Sequence, residues 1–127
     1  MTTDYDPQNI FARILRGEIP CRKVLETPHA LAFEDIRPQA PVHVLVIPKG
    51  AYVTYEDFAR DGTDAEIADF HRALAEVCRM TGVGAGAGGD GFRLISNAGE
   101  AGAQEVPHMH VHVLGGRFLG RLVEPAA

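Results

Sequence analysis

The sequence predicts an α+β domain, an antiparallel meander sheet with one long and one short helix packed on one face. Three observations carry that expectation. Periodic apolar stretches follow one another in the order helix, hairpin, strand, long helix, two strands, with short connections. The run Val42-His43-Val44-Leu45-Val46-Ile47 is β-branched and apolar on both faces, the pattern of a buried central strand. Thr63-Asp64-Ala65-Glu66 is a capping box at the head of the longest helical pattern.

In chain order, Asp6-Pro7 offers a helix start, with Asp as N-cap and Pro at the first helical position. Ile10, Phe11, Ile14 and Leu15 then make one apolar stripe, and Gly17 sits where a C-terminal cap belongs. Cys21–Glu26 and Ala30–Phe33 flank the turn pair Pro28-His29 and read as a hairpin. Pro38 and Pro41 precede the central strand, and Pro48-Lys49-Gly50 ends it. Ile67, Phe70, Leu74, Val77 and Cys78 give the long helix its buried face, and Gly82 closes it. Phe92–Ser96 and Met109–Leu114 are the last two strands. The chain of 127 residues suits a single domain, with its core over about 9–117 and a tail over 118–127.

Composition narrows the function. A balance of 12 basic to 17 acidic residues argues against a general binder of nucleic acid or anionic membranes. Cys21 and Cys78 share no C-x-x-C spacing, so neither a zinc knuckle nor a disulfide scaffold is indicated. The start, MTTDYDPQN, lacks the basic and apolar regions of a signal peptide, and no apolar stretch is long enough to span a bilayer. The expectation is a soluble, cytoplasmic protein. The glycine run from Gly82 to Gly91 contains G-x-G-x-x-G matches, but a helix precedes it and a strand follows. That order is the reverse of a dinucleotide fingerprint, so the run is read as a loop.

Three of the six histidines, His108, His110 and His112, fall within five residues. On a strand they would share one face with Leu114, at roughly 6.6 Å intervals. His29 in a turn and His71 on the long helix are ordinary. Desolvating imidazoles without partners is costly, so three on one face point to a site. Metal binding is one reading, with His43 as a possible third ligand. His108 and His112 would stand roughly 13 Å apart, too far for all three to hold one ion. Nucleophilic and acid–base chemistry on an anion is the other. The small-residue loop Asn97–Gln104 favours it, because exposed backbone N–H groups there could cradle phosphate oxygens.

Val106-Pro107-His108-Met109-His110-Val111-His112-Val113-Leu114 resembles the His-φ-His-φ-His-φ-φ signature of the histidine-triad (HIT) superfamily. Gly115-Gly116-Arg117 resembles its Hint branch of nucleoside phosphoramidases. Ile10-Phe11, Gly17-Glu18-Ile19-Pro20, Phe33-Glu34-Asp35-Ile36, Pro38-Gln39-Ala40-Pro41 and His43 through Lys49 extend the likeness over roughly residues 9–117.

The resemblance implies a HIT-like fold, a homodimer with its two sheets joined across a two-fold axis, and no metal or cofactor. It implies that His110 attacks the α-phosphorus of a purine nucleoside 5′-phosphoramidate or related conjugate, and that water then hydrolyses the nucleotidyl-histidine. The backbone carbonyl of His108 would tether His110, His112 would contact phosphate oxygens and the leaving-group side, and His43 would pair with His108. Asp35 would accept the ribose hydroxyls. Phe11, Ile14, Phe33 and Ile36 would wall the purine, and Asn97 and Gln104 would contact the phosphate and leaving group.

The third histidine favours a hydrolase over the transferase relatives, which carry Gln there. Glu105 departs from the pattern, standing where the branch often has a small hydroxyl residue. An ionised carboxylate there would repel phosphate, whereas a protonated one could pass its proton to a departing amine. The tail also lacks the Trp found in some relatives. Two rival readings are a non-catalytic nucleotide-binding or regulatory module, and a zinc protein using His43 with two of the triad.

Overall fold

Two prolines and a bend deliver the chain into β3 (Val42–Pro48), and both faces of that strand are covered. The computed structural model describes residues 4–123. The first three residues of the start and the last four of the tail lie outside the described residues. β1 (Lys23–Glu26) and β2 (Ala30–Glu34) form the expected hairpin, and β4 (Phe92–Ile95) and β5 (Val111–Gly115) complete one five-stranded antiparallel sheet.

The strand order is β1-β2-β3-β5-β4, which departs from a sequential meander at its last step. Burial explains the exchange. Val111 and Val113 of β5 are buried and need strands on both sides, whereas β4 alternates exposed and half-buried residues, as an edge strand tolerates.

The long helix, α3 (Asp64–Thr81), begins at the predicted capping box: Glu66 N–H donates to Thr63 Oγ1 and Thr63 N–H to Glu66 Oε1. It ends at Gly82 in the left-handed conformation. Phe70, Ala73, Leu74 and Val77 cover Ala30, Ala32, Val44, Val46, Val111 and Val113 on one side of the sheet.

The short helix, α1 (Ile10–Leu15), lies on the opposite side, not beside α3 as expected. There Phe11 packs with Leu31, Phe33, Leu45 and Ile47. A single helical layer would have left Leu45 and Ile47 in water, at roughly 1.5–3 kcal/mol each.

α1 also begins later than Asp6-Pro7 predicts. Asp6 Oδ1 accepts from Gln8 N–H, closing a turn, and Asn9 caps the helix by accepting from Ala12 N–H at 2.9 Å. A further helix, α2 (Tyr55–Asp61), was not anticipated. Thr54 caps it through Asp57 N–H, but Phe58 alone supplies a buried apolar side chain, too little periodicity to register.

β5 begins at Val111, so His108 and His110 precede it. The chain before it leaves the sheet ladder: His108 N–H donates to Val106 O, and Met109 N–H donates to Tyr52 O at 2.7 Å. The three histidines therefore do not share an evenly spaced strand face.

Candidate active site

His108 is wholly buried, at 0% exposure, and both of its ring nitrogens have partners. Nε2 lies 2.8 Å from Pro48 O, and a carbonyl only accepts, so Nε2 carries the proton. Nδ1 then accepts from Tyr5 Oη–H at 2.6 Å. Burial pushes the pKa of this imidazole down to about 4, with the carbonyl bond opposing and His110 adding to the shift.

His110 is fixed by the carbonyl of His108, which accepts from Nδ1–H at 2.7 Å. Its Nε2 is thereby left as a lone pair. The ring stands edge-on to Phe11, at 5.0 Å between centroids. Burial lowers its pKa from the ordinary 6.5, opposed by the His108 carbonyl and by the carboxylates of Asp35 and Glu105.

His112 is ordered from the other end of β3. Gln39 N–H donates to His43 Nδ1 at 3.0 Å, so the His43 proton sits on Nε2 and points at His112 Nδ1, 2.9 Å away. His112 accepts there and keeps its own proton on Nε2. Burial lowers it to about 4, aided by its histidine neighbours. The His110 and His112 rings are 5.1 Å apart. Three neutral imidazoles result, with the His110 lone pair beside an N–H donor on His112.

His43 thus meets His112, not His108 as the resemblance implied. The register pairs His43 with Leu114 and Leu45 with His112, so His43 flanks His112 on one face. His108 is held by Pro48, at the far end of the same strand. Among the described residues, the three groups that converge closely enough for a metal are Asp35, His43 and His112, which include only one triad member. A cation at His43 Nε2 would have to displace the proton that Gln39 N–H enforces there. These residues fit a hydrogen-bonded relay better than an ion.

Asp35 is half-buried, with Oδ2 3.5 Å from His43 Nε2 and Oδ1 accepting from Arg37 N–H. Phe11 and Phe33 are buried edge-to-face at 5.5 Å, Ile14 is half-buried beside them, and Ile36 is 87% exposed. Asn97 is half-buried two residues beyond the end of β4.

Gln104 does not offer its amide to a ligand. Its Nε2 donates to Val53 O at 2.6 Å and Val106 O at 3.0 Å, and its Oε1 accepts from Gly99 N–H. The loop also spends the Ala103 and Gln104 N–H groups on Glu100 O and Gly99 O, leaving fewer for a phosphate than its composition suggests. A Cβ at Gly102 would fall 2.5 Å from Ala98 O, so the turn admits only glycine there. Glu105 is exposed just beyond.

Sequence reasoning missed Tyr5, the Gln39 N–H and the Pro48 carbonyl. Two are backbone groups, which no residue pattern advertises, and Tyr5 lies outside every apolar period.

Two outcomes follow from this network. Tyr5→Phe leaves a buried acceptor without its donor and should cost about 1–3 kcal/mol in urea unfolding. His108 and His112 titrate near 4 when folded and near 6.5 when unfolded, so the unfolded chain binds more protons between those values. Stability should therefore be full above about pH 6.5 and fall as pH drops towards 4, as followed by thermal melts across that range.

Comparisons with known proteins identify the family. A model of the HIT domain matches residues 16–119. An uncharacterized 13.2 kDa HIT-like protein of Azospirillum brasilense is 62% identical over 123 residues, covering 97% of this chain and 98% of its own. The purine nucleoside phosphoramidase of Escherichia coli K12 is 38% identical over 116 residues, covering 91% and 93%. The crystal structure of a HIT family hydrolase from Legionella pneumophila superposes with a TM-score of 0.76 at 39% identity, over 87% of this chain and 95% of that one. Sequence and backbone agree over nearly the same span, and this chain belongs to the HIT domain family.

Proposed function

We propose that this protein hydrolyses purine nucleoside 5′-phosphoramidates, or closely related nucleotidyl conjugates, through a nucleotidyl-His110 intermediate. The observation that carries this is the His108 carbonyl on His110 Nδ1–H, which leaves the Nε2 of a buried imidazole unprotonated. His110 Nε2 forms a bond to the α-phosphorus as the P–N bond breaks. The leaving nitrogen takes a proton from solvent and departs as the neutral amine, a proton that the water of the second step returns to solvent. Water then attacks the phosphorus, releasing the nucleoside 5′-monophosphate and restoring His110.

His112 Nε2–H donates to a phosphate oxygen, and charge grows on that oxygen in each step. Asp35 receives the ribose hydroxyls, and Phe11, Ile14, Phe33 and Ile36 border the base. The phosphoramidase of Escherichia coli, 38% identical, supports the substrate class.

The protein acts as a homodimer in this proposal. One side of β4 is unpaired in the sheet, and Phe92 and Leu94 on it are each 44% exposed. Joining two copies there covers both the strand edge and its apolar side chains.

His110→Asn should lower kcat for an adenosine 5′-phosphoramidate by at least about a thousandfold. Rapid quenching of the wild type should trap label on His110. Wild-type turnover by the Asn variant would remove the assignment. Sedimentation equilibrium at micromolar concentration should give twice the chain mass, falling to one chain in Leu94→Glu.

A further inference from the structure

We infer that Glu105 is a specificity-determining residue that favours leaving amines carrying a second, positively charged group and disfavours anionic ones. The inference rests on the proposed hydrolysis at His110 and adds its substrate class.

The backbone around Glu105 is pinned while its side chain is not. Gln104 donates to Val53 O and to Val106 O, so its amide straddles residue 105. Val106 packs into the Phe11 side of the core, and its carbonyl also accepts from His108 N–H. The Glu105 side chain is exposed, and among the described residues it has neither an ion pair nor a hydrogen bond. Glu18, Glu26, Glu34 and Glu76, by contrast, each have an Arg or Lys.

Among the described residues no Arg or Lys pairs with it. The Arg117 guanidinium is engaged with Gln39 O and Phe118 O, and Arg93 with Gly120 O and Arg121 O. Val106, the residue after Glu105, packs with Phe11, whose ring stands edge-on to His110, and among the described residues Asp35 and Glu105 are the carboxylates that act on His110. They flank it from opposite ends of β3. Asp35 stands by His43 and His112, and Glu105 enters the chain just before His108, which is tied to Pro48. A conjugate with its ribose at Asp35 directs its leaving group towards Glu105. A positive charge there is attracted and a negative one repelled, each by about tenfold for a unit charge at a half-solvated edge. The same reasoning disfavours polyphosphate leaving groups.

The test measures kcat/KM for adenosine 5′-phosphoramidates of three amines of matched size: a diamine, a neutral alkylamine and an amino carboxylate. The wild type should prefer them in that order, about tenfold per step at low salt. The spread should shrink to about twofold in Glu105→Gln, reverse in Glu105→Lys, and narrow with added salt. An unchanged spread in Glu105→Gln overturns the charge selection while leaving hydrolysis standing. Equal slowing of all three amines would make Glu105 a proton donor, and also overturns it. A wild type that turns over none of the three overturns both this inference and the hydrolysis it rests on.

Discussion

Everything in this fold is referred to one strand that cannot be left bare on either side. β3 presents Val44 and Val46 to one layer and Leu45 and Ile47 to the other, so α3 must cover the first and α1 the second. β2 and β5 must also flank it, because its backbone groups would otherwise be buried unpaired. The same strand sets the length of the site. At its start, His43 aligns His112; at its end, the Pro48 carbonyl holds His108. The triad is strung between two fixed points of the most buried strand, and its spacing inherits that strand's rigidity.

Along this row each imidazole is told where its proton goes by a group that can play only one part. Carbonyls accept, so Pro48 and His108 draw protons to His108 Nε2 and His110 Nδ1. An amide N–H donates, so Gln39 forces the proton of His43 outward. Burial removes the alternative of simply protonating each ring, since the charged form would be poorly solvated. Neutrality and orientation thus have separate causes, desolvation for the first and backbone polarity for the second. A lone pair and a donor end up side by side without any charged residue being placed between them.

Much of the fold was legible because it rests on local rules. The Thr63–Glu66 box, the two-sided apolar run of β3 and the hairpin about Pro28-His29 each announce themselves within a few residues. The tether from His108 to His110 followed from the resemblance and matches the geometry. What failed was long-range or invisible in side-chain letters. The exchange of β4 and β5 depends on which strand tolerates an edge, and the side chosen by α1 depends on what α3 has already covered. The resemblance implied His43 beside His108, yet the register of β3 on β5 lays it alongside His112. The resemblance implied a ligand contact for Gln104; its amide instead ties the backbone of Gly99, Val53 and Val106 together.

The hydrogen bond between Tyr5 and His108 closes 103 residues of chain. It joins the segment before α1 to the run that leads into β5, so the His108 end of the site draws on nearly the whole length of the protein. Closing so large a loop carries an entropic toll that only cooperative packing of the intervening elements can offset. The contact also raises the mean sequence separation of the native interactions, the topological quantity that slows folding. An assembled triad therefore requires the segment before α1 and the run into β5 to have been brought together, so the His108 end of the site exists only where these two distant stretches of chain meet.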